Sequence, residues 1–137
     1  SRRTGRDIET LLQQSLDASA VAHATWWGEN PAKVVQAYLG TAEAAFCTQD
    51  SLTMLTDGMG AGKPVIALYP RHVALDNPRA RFFVDYIQRN VEMNRIRRVA
   101  IADLAHFSRD MLTEFEPLRT SVSQEIFETC LKDLAAV

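Results

Sequence analysis

Three short apolar runs, Ala20 to Thr25, Ala44 to Thr48 and Pro64 to Leu68, alternate with stretches of helical period, and only a few residues separate each from the next. Strands joined through a helix return in the same direction, so this rhythm predicts a parallel sheet packed between helices. The fixed hand of such crossovers makes the arrangement doubly wound. The expected class is therefore α/β and Rossmann-like, with ligands taken up beyond the carboxyl ends of the strands. A chain of 137 residues has room for one such domain with its own core.

The helical stretches carry their own punctuation. Thr4 followed by Asp7 imitates a capping box, and Ile8, Leu11, Leu12 and Leu16 recur at helical spacing, which predicts a first helix to about Ala18. Asn30-Pro31 joins a good N-cap to the one helical position that accepts proline; Val34, Val35, Tyr38 and Leu39 form the stripe, and Gly40 can end it in a left-handed conformation. Asp50 or its neighbour caps a third helix carrying Leu52, Leu55 and Met59, ahead of a break at Gly60-Ala61-Gly62. Asn77-Pro78 opens a fourth, which ends near Asn90. Beyond it, Val99 to Ile101 can form a short edge strand and Asp103 to Glu114 is weakly helical. Pro117 breaks that stretch, and Ser121 with Gln124 opens a last amphipathic helix through Ile126, Phe127, Leu131 and Leu134.

Fifteen Lys and Arg against seventeen Asp and Glu give a net charge of -2, which argues against nucleic acid or an anionic membrane as the main partner. No apolar run approaches the roughly 18 residues of a membrane span, and no signal-peptide pattern opens the chain, so a cytoplasmic location is the default. Cys47 and Cys130 lie far apart among apolar neighbours, outside any CxxC pattern, and read as core residues. His23, His72 and His106 have no mutual metal spacing. Neither a metal nor a cofactor is expected. The chain opens directly on Ser1-Arg2-Arg3-Thr4 without a methionine, as a piece of a longer protein would.

The most informative stretch runs from Ala45 to Ile66. A strand ending in Thr48-Gln49-Asp50-Ser51 and entering a helix leaves backbone N–H groups unpaired at the positive helix end, with hydroxyls close by, which suits a phosphate. Asp50 opposes this, because a capping carboxylate occupies the same donors and repels an anion. On chemistry alone capping comes ahead of phosphate binding. Gly58, Gly60, Gly62 and Lys63 imitate a nucleotide loop, but their spacing is neither GxGxxG nor GxxxxGK[ST], and they follow a helix instead of preceding one. They read as a helix exit and a close packing contact before the next strand.

Taken together, Ser1-Arg2-Arg3-Thr4, Gly28-Glu29-Asn30-Pro31, Asp50-Ser51, Met54, Asp57 and Gly62-Lys63-Pro64-Val65 stand in an order that resembles the mitochondrial-fission family named for elongated mitochondria in plants. Bacterial members of that family are often labelled nucleoside-diphosphate-sugar epimerases. The resemblance covers the first half of the chain and is loose after Leu68. It implies the C-terminal half of a two-domain fold similar to GT-B glycosyltransferases, with the N-terminal domain outside this chain. It further implies a nucleoside-diphosphate sugar as ligand, its diphosphate before the helix that follows Thr48, Asp50, Ser51 and Thr53, and its ribose on Asp57. Asp57 stands where the family usually has Glu, and Glu92 where a Gly is expected; the shorter Asp can bind a diol with less reach.

On this reading Arg2 and Arg3 follow the domain's first strand and can project into the same crevice, although a solvated strand end is the plainer alternative. Trp27, Glu29 and Asn30 lie on the next crevice loop, where the indole of Trp26 or Trp27 can stack on a nucleobase, pack in the core or meet the absent half. Between Arg71 and Arg98 seven Arg face only Asp76, Asp85 and Glu92. Such a run is usually a solvated helix face, but it can supplement a diphosphate site. Two functions remain open: the nucleotide-holding half of a GT-B-like enzyme, inactive by itself, or a non-catalytic scaffold for a protein partner at a membrane surface. The last helix is expected to present an apolar face that the absent domain, or a second copy in a homodimer, would cover.

Overall fold

A computed structural model describes residues 4–72, 78–118 and 124. The chain divides into two compact units, residues 1–38 and 39–137, with the boundary inside a short helix.

The first unit opens with α1 (Arg6–Ser15), whose N-cap is Gly5. With Gly5 and not Thr4 at the N-cap, the capping box expected at Thr4 does not form. Asp17 then accepts from Ser19 N and Ser19 Oγ, which closes a 3-10 turn over Ala18–Ala20. The strand expected over Ala20 to Thr25 is absent: residues 21–26 form no ladder. That turn consumes the start of the segment, and an extended segment without a neighbour leaves its backbone groups unpaired. A tight turn follows, with Glu29 N and Asn30 N both donating to Trp26 O. The second helix, α2 (Val35–Thr41), begins four residues after Pro31 instead of at it. Gly40 lies inside α2 and does not end it; among the described glycines only Gly62 has a positive φ.

The second unit is an open α/β sheet. Strands β1 (Ala45–Thr48), β2 (Val65–Tyr69) and β3 (Ile96–Ala100) lie in the order β1-β2-β3, all parallel, with Cys47 opposite Ala67 and Ala67 opposite Arg98. Helix α3 (Leu52–Gly60) connects β1 to β2, and α4 (Pro78–Glu92) connects β2 to β3. Leu55 and Met59 from α3 and Ile87 from α4 close over Val65, Ala67 and Ile96 as one buried cluster. Alternation along each strand therefore gives Cys47, Ala67 and Arg98 the core face, and Phe46, Ile66 and Arg97 the other. On that other face Phe107 meets Phe46 edge to face, and Arg97 lies over Phe115. The parallel sheet flanked by helices is Rossmann-like, as the alternating pattern predicts.

Both crossover helices end in the same device. Gly62 N donates to Met59 O and Lys63 N to Gly58 O, with Gly62 at φ +68°. Asn94 N donates to Val91 O and Arg95 N to Asn90 O, with Asn94 at φ 53°. Each is a Schellman ending, which satisfies the last carbonyls and turns the chain straight into the following strand. The glycine-rich break is thus a helix exit, as its spacing implies. Gly58 does the other part of the work: a Cβ there would sit 2.8 Å from Val65 Cγ2, so α3 lies directly on β2.

Toward the C-terminus, the weakly helical stretch resolves into two 3-10 segments, Ile101–His106 and Arg109–Leu112. The expected last helix, with Ile126, Phe127, Leu131 and Leu134, lies outside the described residues, as do Cys130, Arg2 and Arg3.

Candidate functional site

At the carboxyl end of β1 the chain makes a two-residue turn and enters α3. Gln49 N donates to Leu68 O, Ser51 N donates to Thr48 O, and Ser51 is the N-cap. Its side chain makes no capping bond, and the first turn of α3 holds no acidic residue. The carboxylate of Asp50 therefore does not occupy the helix end, as capping would require. The amides of Leu52, Thr53 and Met54 have no intrahelical acceptor, as in the first turn of any helix. Thr53 and Asp57 are four residues apart and so share one face of α3. Leu55 and Met59 take the buried face. Asp57 is half-buried, and its carboxylate forms no ion pair among the described residues.

Cys47, one residue before the strand ends, is partly buried against the core and directs its thiol at Ser51 O. Burial pushes this thiol above its ordinary range; the Ser51 side chain offsets part of that and the Asp50 charge adds to it. It is a packing residue, as its apolar neighbours suggest, and a poor nucleophile.

Three residues outside the expected site set, Gln49, Tyr69 and Arg98, meet beside this helix entrance. The Arg98 guanidinium lies 4.7 Å from the centre of the Tyr69 ring, and Arg98 Nη2 donates to Gln49 Oε1 at 3.2 Å. Gln49 is only 9% exposed and stands two residues before the N-cap. Arg98 Nε is buried without a hydrogen-bond partner among the described residues. At the carboxyl ends of β2 and β3 a cavity of about 260 Å³ opens, lined by Tyr69, Arg97 and Arg98 together with Val99, Ala100, Asp103, His106, Phe107 and Met111. The only signal for Arg98 in the sequence was its place in the arginine run. That run does not act as a unit: Arg97, on the opposite face, donates to Met111 O and pairs with Glu114, while Arg81 and Arg89 are exposed on α4.

The other residues expected at the site belong to the first unit. Trp27 is exposed, and Glu29 Oε1 accepts from Gln13 Nε2 at 2.9 Å. The backbone of this loop is held by Glu9, which is 6% exposed and accepts from Trp27 N at 3.0 Å and Gly28 N at 2.9 Å. The Trp27 and Gly28 amides are thereby committed to an internal carboxylate. Tyr38 and His23 join through the phenol oxygen and Nδ1. Among the described residues no three His, Cys, Asp or Glu side chains are grouped to hold a metal ion, and no helix is long and apolar enough to cross a membrane.

An open parallel sheet with an uncapped helix entrance at its carboxyl edge defines this as an α/β protein of the Rossmann-like class. The sequence model of the family described as mitochondrial fission ELM1 matches residues 1–124, and the chain belongs to that family. Neither the curated proteins nor the solved structures compared with it include a match.

Proposed function

We propose that this chain is the nucleotide-holding part of a GT-B-like protein acting on a nucleoside-diphosphate sugar, with the diphosphate before α3 and a hydroxyl pair of the ribose on Asp57. The observation that carries this reading is the uncapped N-terminus of α3 at the carboxyl end of a parallel strand, where Ser51 and Asp50 leave the first-turn amides open. Helix ends of this kind favour anions through unpaired N–H groups and the helix dipole. Thr53 and Asp57 on one helix face supply a hydroxyl near the phosphates and a carboxylate one turn further on. Arg2, Arg3, Trp27, Glu29 and Asn30, which belong to the first unit, are proposed as nucleotide-sugar contacts on the family resemblance alone. Catalysis then requires a second domain, and the part described here binds without turning over.

The test is calorimetric or thermal titration with UDP, GDP, ADP and CMP, since a ligand that binds only the folded state raises its melting temperature by mass action. A preference for one nucleotide, weakened by Asp57→Asn, supports the proposal. The scaffold reading, in which the family's role is to bind a protein partner at a membrane surface, draws on a different observation. Ile8, Leu11, Leu12 and Leu16 of the α1 stripe are all exposed. Absence of any nucleotide effect would favour it.

A further inference from the structure

We infer that Arg98 is a ligand-binding residue that takes a phosphate oxygen at the carboxyl edge of the sheet, with Gln49 and Tyr69 holding its guanidinium in place. This inference rests on the reading that the same edge receives a phosphorylated ligand, and it adds a residue which that reading does not contain. A guanidinium has five N–H donors and a charge that cannot be removed in the physiological range. Here Nη2 donates to the neutral Gln49 amide, the guanidinium carbon lies 4.7 Å from the centre of the Tyr69 ring, and Nε is buried without an acceptor among the described residues. No carboxylate among the described residues pairs with it. Its neighbour Arg97 shows the ordinary solution, with a carbonyl and the carboxylate of Glu114 as partners.

A partly buried guanidinium with no carboxylate paired to it among the described residues carries a charge that a bound anion would offset. The position of Arg98 says what that anion is. Through Gln49 it is tied to the turn that enters α3, and it lines the cavity at the carboxyl ends of β2 and β3. A planar guanidinium suits the forked recognition of a phosphate, for which a lysine is a poor substitute.

The experiment compares the wild-type chain with Arg98→Met and Arg98→Lys, following thermal unfolding with and without inorganic pyrophosphate, UDP and GDP. Arg98→Met leaves the buried Gln49 Oε1 without its donor, so its ligand response is read against its own unliganded melting temperature. It should bind pyrophosphate about tenfold or more weakly. Arg98→Lys should recover only part of the loss. A full ligand-induced shift in Arg98→Met would overturn the inference and leave the nucleotide reading standing. A pyrophosphate shift that depends on Arg98, with no preference among nucleosides, would uphold the inference and remove the nucleotide reading. The absence of any shift in the wild type would also overturn the inference.

Discussion

Gly58 of α3 lies so close to Val65 of β2 that a Cβ at residue 58 would fall 2.8 Å from Val65 Cγ2. Val65 is fully buried, so the methyl group has nowhere to withdraw. Gly58→Ala is therefore expected to cost about 1–3 kcal/mol through overpacking. Gly62→Ala should cost about 1–2 kcal/mol for a different reason, the left-handed backbone at φ +68°. Gly60 is helical with nothing near its missing Cβ, so Gly60→Ala should stabilise by about 0.5–1 kcal/mol. Denaturant unfolding of the three variants checks the ordering; equal effects at all three positions would contradict it.

The Glu9 carboxylate is expected to control the loop at residues 27–28. Glu9→Ala leaves the Trp27 and Gly28 amides without their acceptor, at a local cost of about 1–3 kcal/mol. Hydrogen exchange at those two amides should speed up accordingly, and Glu9→Gln, which keeps one acceptor oxygen, should recover part of the protection. Unchanged exchange in Glu9→Ala would show that the carboxylate does not hold the loop.

Cys47 sets an alkaline pH dependence. Burial raises the folded thiol above its unfolded value, so once the pH exceeds the unfolded value the unfolded chain has lost a proton that the folded chain keeps. The unfolded state then binds fewer protons, and stability falls as pH rises from the ordinary thiol range toward the raised folded value. Below that range the contribution is fully present. Melting temperatures of wild type and Cys47→Ala across the alkaline range should converge as the pH climbs. A constant difference would contradict the assignment.

The legible parts of the chain were those where one residue pattern had one physical outlet. Val65 to Tyr69 is an uninterrupted apolar run between a glycine exit and a proline, and it became the central strand. Ile96–Ala100 reads short in the sequence, as Val99 to Ile101, because Arg97 and Arg98 break the apolar run; the sheet tolerates them since one finds Glu114 and the other lies against the Tyr69 ring. Ala20 to Thr25 failed because its strand-like composition came without a pairing neighbour, while Asp17 offered Ser19 a local turn. Asp50 illustrates the limit at the site: composition favoured a cap, and only backbone geometry shows Ser51 in that place with no side-chain bond. The Gln49, Tyr69 and Arg98 cluster could not be seen because its members come from three different strand ends, brought together by sheet register alone.

The central claim, that the entrance of α3 holds the phosphates of a nucleotide, is tested most directly by amide chemical-shift mapping during titration with a nucleoside diphosphate. Saturable shifts are expected at Leu52, Thr53 and Met54, the amides that Ser51 leaves uncapped, with a smaller response at Asp57. Saturation of the nucleotide without movement of those three amides, or shifts confined to residues 6–30, would contradict it.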